Sequence, residues 1–422
     1  MSNPQSPADL VHRLTPMRGR DPEESERAST PLELLLDLTF VVAVGTAASH
    51  FAEVSAAGHI GNALLAFLFA MFAICVAWIN FAWFASAFDT DDWLYRALTM
   101  VAMVGVVVFA LGLPPMFNSV EEGQHVDNRL IVIGYIVMRI AMAGQWWRAA
   151  RQSSYRRVAL RNIGWVMIAQ VGWVIVAWTS MSMPLTFVCA LVLGIFELLL
   201  PVLSQGQANG TPWHPHHIAE RYSLFAIITL GEGVVGTVAS SQGLLGGESG
   251  TDWSGNAVAV VVAGIGLTFG MWWVYFITPF GTILQYRPRR GYLFGYGHIP
   301  IFIAIAATGA GLHVMGLYLE HEAKIGHVTT TLLLAVPVAI YLGMVFVLHD
   351  ALLSAGDALH FVQLGVTALF LVAAVVVAMA GAPLAVSLIL IMIAPFVTVV
   401  SHELGAYRHQ ARMLQDMVDD AP

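Results

Sequence analysis

Residues 32 to 44 read Leu32-Glu33-Leu34-Leu35-Leu36-Asp37-Leu38-Thr39-Phe40-Val41-Val42-Ala43-Val44. Glu33 and Asp37 are four residues apart, which is just over one helical turn, so a helix places both carboxylates on one face. The other side chains suit hydrocarbon, and charge inside a bilayer is costly and usually functional. The stretch therefore predicts a membrane-spanning helix that carries an acidic pair near its start.

The composition extends this prediction to the whole chain. Its 422 residues are 58% hydrophobic and 11% charged, whereas roughly a quarter of the residues in a soluble domain are charged. A mean hydropathy of +0.73 predicts many spanning helices of about 20 residues each. The expected fold is all-α and polytopic, with the lipid bilayer as its main partner. No basic stripe is present, so a nucleic-acid-binding protein is excluded.

Apolar stretches of spanning length occur twelve times along the chain and are separated by turn-forming residues such as Pro114-Pro115. Their approximate boundaries are 32–52, 61–84, 97–116, 130–148, 158–180, 184–203, 218–241, 256–278, 294–317, 328–348, 361–380 and 383–405.

The basic residues predict the orientation of these spans, because short cytoplasmic loops retain Lys and Arg. With the N-terminus inside, only Arg129 and Lys324 of the 19 basic residues fall in outside segments, and Arg139 lies within a span. We therefore expect both termini to be cytoplasmic. Residues 1–30 lack a signal peptide and are expected to form a disordered tail; residues 406–422 are expected to form a short C-terminal tail.

An internal repeat is indicated by two short matches. FVVAVGTAAS at Phe40–Ser49 resembles GEGVVGTVAS at Gly231–Ser240, and WFASAFDT at Trp83–Thr90 resembles YFITPFGT 192 residues later. An even number of spans between the copies gives them the same orientation. The sequence thus predicts two parallel six-helix halves, 31–205 and 206–405, with compositional bias as the alternative explanation.

Two segments place acids at the start of the first and seventh spans. Glu33 closes the capping-box pattern Thr30-Pro31-Leu32-Glu33, which is its alternative to an ion-binding role. Asp37 lies beyond the capping turn, where its alternative role is a buried ion pair. In the seventh span, Glu220 and Arg221 lie at the cytoplasmic end.

Glu232 is the deepest carboxylate of the chain, eleven residues and about 17 Å beyond Arg221 by helical rise. Three glycines, Gly231, Gly233 and Gly236, permit close helix approach or local unwinding around it. We expect Glu232 to bind a proton or cation, with a structural ion pair as the alternative.

Arg139 and Glu197 also fall near mid-depth of their spans. They can pair with each other, or Arg139 can face Asp37 or Glu232 as a permanent positive charge. His298 and His313 in the ninth span are candidates for a proton relay, with helix-packing hydrogen bonds as the commoner explanation.

The loop between the second and third spans carries three carboxylates, which are expected to be solvated, with Asp89 and Arg96 bracing the turn: Asp89, Asp91 and Asp92.

Signals for an enzyme, a metal or a cofactor are weak throughout. The histidines of Trp213-His214-Pro215-His216-His217 match no zinc spacing. The Gly231–Gly236 run spells G-x-G-x-x-G but no strand precedes it. Cys75 and Cys189 lie in apolar runs, so no disulfide framework is indicated. We therefore expect no metal, no cofactor and no enzymatic activity.

Three motifs together resemble the bacterial low temperature requirement A family of integral membrane proteins: ELLLDLTFVVAV at Glu33–Val44, FDTDDWLYRALTMVAM at Phe88–Met103 and HIAERYSLFAIITLGEGVVG at His217–Gly236. The resemblance implies a multi-span protein of the bacterial inner membrane, linked by name to growth in the cold and with no established substrate. A fainter likeness to two-repeat potassium channels aligns only Asp37 and Phe40.

The leading functional hypothesis is a proton- or cation-coupled secondary transporter of an unknown small solute, with Asp37, Glu232 and Arg139 in one charged site. An ion channel is the first alternative. A lipid-acting membrane enzyme and a non-transporting scaffold are the others. The sequence leaves the solute and the oligomeric state open.

Overall fold

The computed structural model describes residues 14–22, 24, 27–123, 125–205, 210–245, 255–353 and 358–419. Every regular element in these ranges is helical, and twelve helical segments are long and apolar enough to cross a membrane. The all-α, twelve-span prediction is confirmed. The α-helices are α1 Pro31–Ala56, α2 Ile60–Phe88, α3 Trp93–Leu111, α4 Leu113–Glu122, α5 Arg129–Gln152, α6 Arg156–Trp178, α7 Met183–Gln205, α8 Pro215–Leu245, α9 Gly255–Phe276, α10 Phe280–Tyr286, α11 Gly291–Leu319, α12 His327–Leu353, α13 Ala358–Met379, α14 Leu384–Ser401 and α15 Tyr407–Asp419.

The sequence places the end of the third span near Pro114-Pro115, but the span continues through these prolines to Glu122. The prolines occupy the first turn of α4, where the missing N–H groups cost nothing, and α3 and α4 together form one span, Trp93–Glu122.

The chain divides into two compact units. Unit 1 comprises Met1–Thr46 and Phe69–Arg221, and unit 2 comprises Ala47–Leu68 and Tyr222–Pro422. These boundaries differ from the expected halves, because Ala47–Leu68, which includes the end of α1 and the start of α2, belongs to unit 2, and α8 up to Arg221 belongs to unit 1. The two-repeat arrangement stays a prediction.

In unit 1, α3 and α5 pack at backbone distance. A methyl group on Gly105 would lie 2.7 Å from the carbonyl oxygen of Gly134, which is closer than any side chain permits. Small residues at such crossings are how membrane helices approach each other.

The segment before α1 is attached to the rest of unit 1 by hydrogen bonds from its backbone N–H groups to side chains. The Thr15 N–H donates to Asp92 at 3.1 Å, and the N–H of the fully buried Met17 donates to Gln152 at 2.9 Å. The expectation of a disordered tail over residues 1–30 is therefore wrong for residues 14–22, 24 and 27–30; residues 1–13 lie outside the described ranges.

The expected tail at 406–422 also contains regular structure. The π-helical turn His402–Ala406 lies between α14 and α15, and Gly405 inside this turn has a non-helical φ of 155°. Along α15, the Gln410 side chain donates to the carbonyl of Ile277 at 3.0 Å, and Met417 is buried. These contacts attach α15 to unit 2.

The three aspartates between α2 and α3 have different environments, so the expectation that all are solvated is wrong. Asp92 accepts the N–H of Tyr95 as the N-cap of α3 and binds Arg148. Arg96 pairs with the exposed Asp91 at 2.8 Å rather than with Asp89. Asp89 is buried.

Candidate functional site

Two acids of α1 face two bases of α8 inside unit 1. The imidazole Nε2 of His217 lies 3.3 Å from the Glu33 carboxylate, and Nη2 of Arg221 lies 2.6 Å from Oδ1 of Asp37. All four side chains are completely buried. Because the residues of each helix are four apart, the two pairs form consecutive layers one helical turn apart.

Glu33 forms the predicted capping box and also contacts His217, while its ion-binding role stays a prediction. Its Oε2 accepts the Thr30 N–H at 2.8 Å, and its own N–H donates to the Thr30 hydroxyl at 3.3 Å. These reciprocal bonds form the predicted capping box. The same carboxylate faces His217, so the cap and the first layer share one acid.

Asp37 has its donors on one oxygen. The indole N–H of Trp78 donates to Oδ1 at 2.7 Å, and Arg221 donates to the same atom at 2.6 Å. The guanidinium also lies 5.9 Å from the Trp78 ring centroid, within range of a cation–π interaction. Oδ2 is buried and has no hydrogen-bond partner among the described residues.

Further polar atoms around this pair are buried and lack protein partners within the described ranges. They include donors and acceptors: Nε and Nη1 of Arg221, Nδ1 of His217 and the hydroxyl of Tyr95 on α3. An unsatisfied buried polar group costs about 1–3 kcal/mol. Such a set therefore favours binding of water, a proton or a small polar solute.

Asp89, which follows the end of α2, is buried and interacts electrostatically with Glu33 and Arg27. Burial, followed by the negative charge of Glu33, raises the pKa of Asp89 to about 6, while the Asp91 N–H and Arg27 act in the opposite direction. Arg27 donates to the carbonyls of Ala85 and Ser86 at the end of α2. Asp89 is therefore an ionisable group whose charge changes close to neutral pH.

Glu220 binds the backbone just before α1 and is not part of the two layers. Its half-buried carboxylate accepts the Ser29 N–H at 3.3 Å. This bond fixes the chain just before the capping box.

Arg139 belongs to a second buried cluster, with Glu197. Arg139 and the Tyr135 hydroxyl donate to Oε2 of Glu197, and the Trp173 indole donates to Oε1 at 2.8 Å. The alternative that placed Arg139 opposite Asp37 is wrong, because Arg221 occupies that position. Both Glu197 oxygens accept hydrogen bonds, whereas Nε of Arg139 has no hydrogen-bond partner among the described residues.

Glu232 lies half-buried in unit 2, in the interior of the uninterrupted helix α8. The predicted close approach is present: a methyl group on Gly309 of α11 would lie 2.7 Å from the Glu232 backbone, and one on Gly233 would lie 2.5 Å from the Thr268 hydroxyl oxygen. Local unwinding is absent from this described helix. No hydrogen bond or ion pair to the Glu232 carboxylate occurs among the described residues.

His298 is fully buried in unit 2 and bonded at both nitrogens. Its Nδ1 lies 2.7 Å from the Phe294 carbonyl and its Nε2 lies 2.9 Å from the Tyr275 hydroxyl. This is the helix-packing role. His313 is half-buried on the same helix, fifteen residues and about 22 Å away by helical rise, too far for direct proton transfer.

The model of the bacterial low temperature requirement A protein family (LtrA) matches residues 28–395. The chain belongs to the LtrA family. It is also 25% identical over 303 residues to an uncharacterized protein of Rhizobium meliloti (strain 1021), an alignment that covers 68% of this chain and 69% of the relative. All four residues of the two buried layers fall within the part that matches the LtrA family.

In this LtrA-family protein, sequence reasoning missed Trp78, Tyr95 and the role of His217. Trp78 and Tyr95 resemble the interfacial aromatic residues of any membrane protein. A signal for His217 was present, since His217-x-x-x-Arg221 has the same four-residue spacing as Glu33-x-x-x-Asp37 with opposite charge.

Proposed function

We propose that this protein is a proton-coupled secondary transporter of a small solute or ion, with the Asp37–Arg221 pair as its proton-responsive element. The observation that carries the proposal is the arrangement around that pair. Its charges are wholly buried, yet Oδ2 of Asp37 and two nitrogens of Arg221 have no protein partner among the described residues. A purely structural pair is expected to have its hydrogen-bonding atoms satisfied.

Protonation of Asp37 changes the pair in a defined way. A proton added at Oδ2 neutralises the carboxylate, while Trp78 and Arg221 remain on Oδ1. The guanidinium then lacks a full counter-charge. An anionic or strongly polar solute group stabilises this guanidinium more than it does when Asp37 is ionised. Proton binding and solute binding therefore favour each other.

The energy released by one transported proton is similar to the energy needed to open the Asp37–Arg221 pair. Breaking a buried ion pair by removing one partner costs about 3–5 kcal/mol. One proton moving down a gradient of about one pH unit and 100 mV releases roughly 4 kcal/mol. A single proton per cycle can therefore drive the opening of this pair.

Asp89 supplies a proton-exchanging group near the predicted cytoplasmic end of the site. Its pKa of about 6 lets it load and release protons near neutral pH, and the charge of Glu33 acts on it directly. The distribution of arginines supports a cytoplasmic membrane with both termini inside.

Complete burial of all four side chains of the two layers favours a transporter over a channel. An occluded site is a required stage of alternating access, whereas an open channel provides a continuous pathway across the membrane.

The test does not require the solute. Full-length protein is reconstituted into liposomes on a solid-supported membrane and subjected to pH jumps. Wild type is expected to give a transient charge displacement as buried groups take up protons, and D37N is expected to lose most of it. E53Q is the matched control, because Glu53 is an exposed carboxylate on the same helix.

Equal charge displacement in D37N and wild type, with both proteins folded by size-exclusion chromatography, would remove Asp37 from the mechanism. A sustained current under a K⁺ or Na⁺ gradient without a pH gradient would instead indicate a channel.

A further inference from the structure

We propose that unit 2 binds a divalent transition-metal ion of the Zn²⁺ class through His349, Asp350 and His360. His349 and Asp350 lie in the last turn of α12, and His360 lies in the first turn of α13. By the predicted orientation, both helix ends are cytoplasmic. The sequence does not predict a metal site at these three residues.

The donor atoms are already close together. Nδ1 of His360 lies 2.6 Å from Oδ1 of Asp350, and Nδ1 of His349 lies 3.6 Å from the same oxygen. The three residues offer ligand atoms that all lie within 4.8 Å of one another. Ligands of tetrahedral zinc, at 2.0–2.2 Å from the metal, are roughly 3.4 Å apart. Side-chain shifts of about 1 Å bring the three donors to this spacing.

A pocket of about 40 Å³ adjoins these ligands, and a buried water needs only about 10–15 Å³. His349 and His360 line it together with Gln363, His402 of the π-helical turn and His409 of α15. There is room for an ion and a water molecule, and His409 is a candidate for the fourth ligand. Metal binding would then link the α12–α13 hairpin to α15.

The donor chemistry selects the metal class. Two imidazoles and one carboxylate favour Zn²⁺, Co²⁺ or Ni²⁺, whereas Mg²⁺ and Ca²⁺ prefer all-oxygen sites. The half-buried position of Asp350 and His360 lets ions enter from water.

The other histidine cluster of the chain provides the control. In unit 1, His214 bonds the Glu24 carbonyl at 2.8 Å and His217 faces Glu33, so these rings have other roles. His216 is exposed on the same segment, and H216A therefore reports on adventitious binding there.

The experiment uses full-length protein with a histidine-free tag, stripped by a chelator and titrated with Co²⁺ and then Zn²⁺. Wild type should bind one ion per chain, with the visible d–d absorption of a low-coordinate Co²⁺ site. H360Q and D350N should each lose at least roughly tenfold in affinity, while H216A keeps the wild-type value.

X-ray absorption at the zinc edge of the wild-type complex tests the ligands without relying on a variant. Scattering from two imidazoles is expected. An all-oxygen shell, or affinity lost in H216A but kept in H360Q and D350N, would overturn the assignment.

Discussion

A double-mutant cycle on Asp37 and Arg221 tests whether these residues are each other's main partner. The variants are R221Q, D37N and the double variant. In R221Q, Asp37 stays buried with Trp78 as its remaining donor. In D37N, the guanidinium stays buried beside Glu33 without its nearest counter-charge. The double variant leaves two neutral amides that can bond each other.

The magnitude follows from the geometry. At 2.6 Å and an effective dielectric constant of about 20, the charges attract by about 6 kcal/mol. Desolvation offsets part of this energy, so each single variant should lose roughly 3–5 kcal/mol of unfolding free energy. The double variant should recover about 2 kcal/mol or more relative to the sum of the two single losses, because it buries no unpaired charge.

The assay is equilibrium unfolding in mixed detergent micelles titrated with sodium dodecyl sulfate and followed by tryptophan fluorescence. W78F serves as the reference for losing one hydrogen bond to Asp37, with an expected cost of about 1.5–3 kcal/mol. Additivity of the two single variants within about 0.5 kcal/mol would refute the pairing as the dominant interaction of either residue.

Three further predictions concern other acids. E232Q should keep wild-type stability, because no hydrogen bond to Glu232 occurs among the described residues, but it should reduce the pH-jump charge displacement; an unchanged displacement would exclude Glu232 from the proton pathway. Asp89 has a folded-state pKa of about 6, above its usual value, so the folded protein holds a proton that the unfolded chain releases between about pH 4 and 6. The unfolding free energy of wild type relative to D89N should therefore fall as the pH rises from about 4 to 6, by up to about 3 kcal/mol. A difference that is independent of pH would contradict this reasoning. E197Q leaves Arg139 buried without its counter-charge and should cost about 3–5 kcal/mol while the folded fraction keeps its charge displacement; selective loss of that signal would assign the Arg139 cluster a transport role.

Hydropathy was sufficient to predict the fold class because each span must satisfy its backbone hydrogen bonds internally and present apolar side chains to lipid. Spans defined in this way are local properties of the sequence. The compact units were harder to predict. The assignment of Ala47–Leu68 to unit 2 depends on contacts between distant segments, such as the Lys324 N–H donating to the Ala56 carbonyl at 2.7 Å.

The two layers of the candidate site show the same limit at the level of residues. Glu33 and His217 are 184 positions apart, and so are Asp37 and Arg221. Each helix displays its four-residue spacing in the sequence, but several buried charges were equally plausible partners there. Only the structure assigns Arg221 to Asp37 and leaves Arg139 with Glu197.

The buried pairs Asp37–Arg221 and Glu197–Arg139 of unit 1 differ in a way that bears on proton binding. Glu197 has three donors distributed over both oxygens, so an added proton would have to share an oxygen that already accepts a hydrogen bond. Asp37 has both donors on Oδ1, and its Oδ2 has no partner among the described residues. A proton can therefore bind Oδ2 and weaken the attraction to Arg221 without first breaking a bond. Both carboxylates are buried, so burial does not distinguish the two pairs. The distribution of hydrogen-bond donors over the two oxygens of each carboxylate does distinguish them.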